Sequence, residues 1–227
     1  DIRINFAPAK KSAIYKVEFS NRGDRKILFQ GTKNMNSKVE QSGAIILEDK
    51  YVYKTRGIFS ETREVPIFIY LKLVDETGDI IRDVSTNTEG NKFSFSLNPT
   101  ASLKVSLKYA VSYVSVDQAK INFENELASS DFEQVSEAGK KAWEKVMNQI
   151  RVKGGSNAQK RSFYTSLYRT YERMVDINEY GKYFSGYDGK VHESDRPFYV
   201  DDWVWDTYLA THPLRTILNP ELENDML

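Results

Sequence analysis

Residues 103–119 read LKVSLKYAVSYVSVDQA, and two periodicities meet inside them. Leu103, Val105, Leu107, Tyr109, Val111 and Tyr113 alternate with Lys104, Ser106 and Lys108. A period of two sends successive side chains to opposite faces, so this run predicts a strand with one apolar and one wet face. At Ser115 the period changes. Ser115-x-x-Gln118 has the form of a capping box and predicts a helix reaching to about Ala128.

Upstream the grammar is that of strands. Tyr15, Val17 and Phe19 alternate with Lys16 and Glu18; Ile67, Ile69, Leu71 and Leu73 form a second run, and Phe93, Phe95 and Leu97 a third. Turn residues punctuate them at Asn21-Arg22-Gly23-Asp24, Glu76-Thr77-Gly78-Asp79, Asn87 to Asn91 and Asn98-Pro99. Residues 1–116 are therefore predicted to form an antiparallel β-sandwich.

Downstream the spacing is three and four. Ser130-x-x-Glu133 precedes Phe132, Val135, Ala142, Trp143, Val146, Met147 and Ile150, which predicts a second helix. Gly154-Gly155 breaks the chain, and Ser156-x-x-Gln159 opens a third helix bearing Phe163, Leu167, Tyr171 and Met174. Residues 176–200, with Gly181, Gly186, Gly189 and Pro197, read as a long loop. A fourth helix is expected from Asp201 or Asp202. It should kink or restart at Pro213, which cannot donate to the carbonyl of Leu209.

Composition narrows the function. Among 227 residues, 32 Lys and Arg balance 32 Asp and Glu, which argues against a general nucleic-acid binder. The zero conceals a split: residues 1–116 carry 18 basic and 13 acidic side chains, residues 117–227 carry 14 and 19. Chance surface composition accounts for such a split, as does attraction between the halves. With no cysteine there is no disulfide framework or thiol chemistry. No apolar run approaches the ~20 residues of a membrane span. The start at Asp1, without Met or a signal-like segment, and the uncapped end at Leu227 suggest a piece of something larger.

The chemistry concentrates late in the chain. Residues 163–208 hold 13 aromatics, several in the glycine-rich stretch rather than on a periodic face. Aromatic rings pack against the C–H face of a sugar while carboxylates accept its hydroxyl protons, so this mixture suits a carbohydrate. Helix residues such as Phe163 and Tyr171 are equally read as core; Tyr183, Tyr187, Trp203 and Trp205 are the candidates for contact. Asp202 and Asp206 stand four apart beside Trp203 and Trp205 on the expected helix, where like charges repel. A cation, an arginine or a ligand hydroxyl would explain that spacing, as would a solvated face. The two histidines, His192 and His212, match no compact metal-ligand spacing; His192 is expected in a loop and His212 at the helix restart as a cap. No nucleophile elbow, phosphate loop or dinucleotide glycine pattern appears.

A family resemblance gathers these pieces. It rests on residues 112–119 (SYVSVDQA), the helix ending near Trp143, Gly154-Gly155, residues 163–168 (FYTSLY), residues 181–192 (GKYFSGYDGKVH) and residues 205–214 (WDTYLATHPL). In that order and spacing the chain resembles glycoside hydrolase family 92, the bacterial exo-acting α-mannosidases. The resemblance covers about residues 110–227, and the WDT…HPL run is its most specific piece.

It implies a sandwich over 1–116, a helical linker over 117–153 and the first helices of an (α/α)6 barrel over 154–227, with substrate between sandwich and barrel. It implies removal of terminal α-linked mannose from glycans with inversion, dependence on calcium, and a periplasmic or secreted location. The catalytic acid and base and the main calcium ligands are expected beyond residue 227, so these residues alone are expected to be inactive. What carries over is substrate binding: Asp206 accepting from a mannose hydroxyl, Trp205 shaping the pocket, and Asp188 and Tyr183 as lesser candidates. The alternative is a non-catalytic carbohydrate-binding or interaction module. A third reading is another (α/α)-barrel glycosidase or phosphorylase.

Overall fold

A computed structural model of the chain describes residues 1–32, 35–54, 61–98 and 101–227. Pro99 of the expected Asn98-Pro99 turn lies outside them. The chain divides into two compact units: residues 1–139 with 184–191, and residues 140–183 with 192–227.

Among the described residues, the part of the first unit before residue 116 contains β1 (Ile2–Pro8), β2 (Ser12–Phe19), β3 (Lys26–Gln30), β4 (Asn36–Val39), β5 (Ile45–Lys54), β6 (Thr62–Val74), β7 (Val84–Glu89), β8 (Lys92–Leu97) and β9 (Lys104–Ser112). Six form one sheet in the order β1-β2-β9-β6-β5-β4, and three form another in the order β3-β8-β7. Every pairing is antiparallel. The alternation found in the sequence sets the register. Val105 faces Val17 across β9 and β2, and Leu73 faces Leu107 across β6 and β9. Val17, Leu47, Leu71, Leu73, Val105 and Leu107 of the large sheet meet Phe93, Phe95 and Leu97 of the small one in a common core. The β-sandwich reading is borne out.

The wet face is not. The other side of the large sheet carries Ile14, Ala44, Ile46, Tyr70 and Ala110, packed under Ala119, Phe123 and Leu127 of α1 (Val116–Leu127). Small and amphipathic residues sit there because a helix lies over them. Tyr70 and Phe123 meet edge to face at 5.2 Å. Polar anchors fix the helix in place: Asn122 donates to the carbonyl of Val111, and Glu126 accepts from the Lys11 amide and the Ser12 hydroxyl. Lys108, read as a wet-face residue, donates to the carbonyls of Leu127 and Ser130, and burial lowers its pKa.

Helix starts follow side-chain chemistry. Ser115 accepts from the Gln118 amide, as expected. The next helix, α2 (Phe132–Met147), is capped one residue later than Ser130: Asp131 accepts from the Gln134 amide while Gln134 Oε1 accepts from the Asp131 amide. The third, α3 (Asn157–Arg169), opens on the complete Ser156–Gln159 capping box expected from the sequence.

Residues 176–200 are not a loop. They contain β10 (Val175–Asp176) paired with β13 (Tyr199–Val200), and β11 (Lys182–Ser185) paired with β12 (Lys190–Glu193). Within the first unit, Tyr53 and Arg63 donate to the carbonyl of Gly186 in the β11–β12 turn, and Arg63 also donates to that of Tyr187. The expected fourth helix is three short ones: α4 (Val204–Thr207), α5 (Thr211–Leu218) and α6 (Pro220–Met226). Pro213 falls in the first turn of α5, where a missing N–H costs nothing. Among the described residues, no helix is long and apolar enough to cross a membrane.

Candidate functional site

Trp205 and Asp206 lie on α4, a single turn in the second unit. Its approach is bent by Asp201, whose φ of 67° is left-handed, a conformation aspartate tolerates better than most residues. Asp201 accepts from the Trp203 indole at 3.1 Å, and the Arg173 guanidinium stands 4.9 Å over the Trp203 ring. Trp203 precedes the turn without providing a side-chain cap, and no residue of α4 is buried. Trp205 is 71% exposed and tilted against Trp203 at 6.1 Å. The result is an open aromatic ledge with the exposed Asp206 carboxylate beside it. Asp202 does not share a helix face with Asp206; it lies before α4, which removes the expected four-residue repulsion.

One helical turn is marginal in water, because nucleation fixes several dihedrals for few hydrogen bonds. Side chains outside the turn steady this one. Thr207 donates from Oγ1 to Asp202 Oδ1 at 2.8 Å and lies 3.0 Å from His212 Nε2. The same Nε2 is 3.2 Å from Asp202 Oδ2, and Nδ1 is 2.5 Å from Glu223 Oε1. His212 is therefore not a cap. It sits inside α5, 9% exposed, and links the segment around α4 to Glu223 of α6, which is 2% exposed.

Burial raises the Asp202 pKa, but hydrogen bonds from Thr207 and His212 and the charge of His212 outweigh it and hold the carboxyl below its usual range. A depressed carboxylate contributes stability above its unfolded pKa of about 3.9, and loses it as pH falls through the folded value. The Tm advantage of the native protein over Asp202→Asn should thus be full at pH 6 and shrink below about pH 4. A difference that is constant down to pH 2.5 would contradict this.

A second buried charge supports the same helices. Arg215 of α5 is 2% exposed and donates from Nη2 to the carbonyls of Thr170 and Arg173, while Nη1 contacts Met226 Sδ at 3.2 Å. Neither Arg215 nor the His212–Glu223 pair was singled out from the sequence. The available signal was charge without an amphipathic excuse: His212 and Arg215, three apart, fall on the inner face of a short helix.

The lesser candidates lie elsewhere. Tyr183 is half-buried in β11, stacked on Phe198 at 3.8 Å and on His192 at 5.4 Å. His192 is thus a strand residue in β12 rather than a loop residue. Asp188 is exposed in the β11–β12 turn and its Oδ1 accepts from the Lys190 amide. That is a turn-forming role, and it belongs to the residues grouped with the first unit. As for a metal, among the described residues no three His, Cys, Asp or Glu side chains converge as a potential site. Calcium takes about six to eight oxygen ligands, so these residues do not fit a calcium cage by themselves.

Residues 118–227, which include α4, α5 and α6, match the sequence pattern of the glycosyl hydrolase family 92 catalytic domain. The comparison with curated proteins found no match. Solved structures agree on the fold. The family 92 glycosyl hydrolase ccman5 superposes with a TM-score of 0.77 at 17% identity, over 99% of this chain and 32% of that one. An inverting family 92 mannosidase from Bacteroides thetaiotaomicron gives 0.76 at 23% identity, over 97% and 31%. A family 92 alpha-mannosidase from the same organism, in complex with mannoimidazole, gives 0.75 at 19%, over 99% and 32%. The chain spans about a third of the length of these structures.

Proposed function

We propose that this chain is part of a glycoside hydrolase that removes terminal α-linked mannose from glycans with inversion, and that the Trp205–Asp206 turn builds part of its terminal-sugar subsite. The observation that carries the reading is an exposed tryptophan ledge and free-standing carboxylate on the segment that matches family 92. A mannose analogue bound to one structural neighbour supports mannose as the sugar. In this role Trp205 offers an apolar ring to the C–H face of the sugar, and Asp206 accepts a hydroxyl hydrogen bond. Inversion needs a carboxylic acid at the leaving oxygen and a carboxylate that activates water, roughly 6.5–9.5 Å apart. We assign neither to these residues, and propose accordingly that they are inactive alone.

The reading includes calcium as cofactor, with its ligands mainly outside these residues, and a periplasmic or secreted location. It is tested by incubating the complete gene product with α-linked mannobioses, with and without chelator, and measuring free mannose. Release that stops on chelation is expected. Sugar binding without release would favour the non-catalytic module, and neither binding nor release would remove the mannose reading.

A further inference from the structure

We propose that His212 is a positioning residue, a clamp that sets the α4 turn and through it the Trp205 and Asp206 side chains. The inference rests on the subsite reading above for its functional consequence, but its geometry stands without it.

The turn needs an external hold. It has four residues, none buried, and no side-chain cap at its start. Backbone bonds run from Asp206, Thr207 and Tyr208 back to Trp203 and Val204. His212 grips it at both ends. Through Nε2 it reaches Asp202 Oδ2, before the turn, and Thr207 Oγ1, the last residue of the turn. Thr207 in turn bonds Asp202 Oδ1, so three side chains close a ring around Trp203–Asp206.

The clamp is itself fixed. Nδ1 of His212 lies against Glu223 Oε1 at 2.5 Å, and the other Glu223 oxygen has no hydrogen-bond partner among the described residues. A carboxylate buried to that degree is costly without a partner, so His212 and Glu223 hold each other in one arrangement. Asp206 lies next to Thr207 and takes no part in the ring, which leaves its carboxylate free for a ligand.

The test uses the complete gene product labelled with 5-fluorotryptophan, with mannoimidazole as probe and the Trp205 fluorine signal assigned by Trp205→Phe. His212→Ala should weaken mannoimidazole about tenfold to a hundredfold, because misplaced contacts lose most of their worth. It should also shift or broaden the Trp205 resonance. In Asp206→Asn the same substitution should cost clearly less than it does in the native protein, since part of its effect acts through the Asp206 contact.

Unchanged affinity with an unmoved Trp205 signal would overturn the clamp, as would losses that simply multiply. If Asp206→Asn binds like the native protein while His212→Ala still moves Trp205, the clamp stands and the subsite reading fails. Should His212→Ala not fold, Thr207→Val breaks the ring and leaves the His212–Glu223 pair. It should move the Trp205 signal, and a signal left in place would overturn the proposal.

Discussion

Replacing Asp206 by alanine in the complete gene product should lower kcat/KM on an α-mannoside by about ten- to a hundredfold, leaving the fold intact. The size follows from the interaction removed. A hydrogen bond from a sugar hydroxyl to a carboxylate contributes about 1.5–3 kcal/mol, and each 1.4 kcal/mol is a factor of ten. The fold should survive because Asp206 is exposed and stands outside the Asp202–Thr207–His212 ring. Steady-state kinetics and a thermal melt decide it together. A loss of activity with unchanged Tm assigns Asp206 to the sugar. A parallel loss of both would make it a structural residue, and unchanged kinetics would remove it from the subsite.

The largest effect on stability should come from Phe95→Ala. Phe95 is fully buried in β8, the central strand of the small sheet, between Phe93 at 6.2 Å and Phe29 at 6.3 Å. It faces the apolar side of the large sheet, and both sheets carry backbone ladders that resist collapse into a void. Truncating a buried phenylalanine typically costs about 3–5 kcal/mol, from lost transfer energy and the cavity left behind. Against a typical total of about 5–15 kcal/mol, that is enough to shift a denaturation midpoint strongly or to unfold the sandwich. A cost below about 1 kcal/mol would mean that the two sheets are not packed through this ring.

Much of this was legible in sequence because it is local. Period-two runs marked β2, β6, β8 and β9, and Ser115 and Ser156 marked two helix starts. The errors were also local in origin. Ser130-x-x-Glu133 and Asp131-x-x-Gln134 are adjacent and both fit a capping pattern; only the side-chain geometry separates them. The strands within 175–200 have two to four residues, too few for a period to show. The large sheet looked wet on one side because Ala110, Ser112 and Tyr70 are weak apolar signals, and nothing local announces that α1 lies over them.

The site divides in the same way. Trp205 and Asp206 stood out as aromatic and acidic neighbours in a family-like run. The histidine that steadies them did not, since its partners are five, ten and eleven residues away and meet it only through the break at Asn219-Pro220 and the turn before α5.

The most direct measurement is a crystal structure of the complete gene product with mannoimidazole. The inhibitor is expected against the Trp205 ring, with a sugar hydroxyl within about 2.6–3.2 Å of the Asp206 carboxylate, the distance of a hydrogen bond. An inhibitor seated in the active site without contact to Trp205 or Asp206 would contradict the assignment of this turn to the sugar.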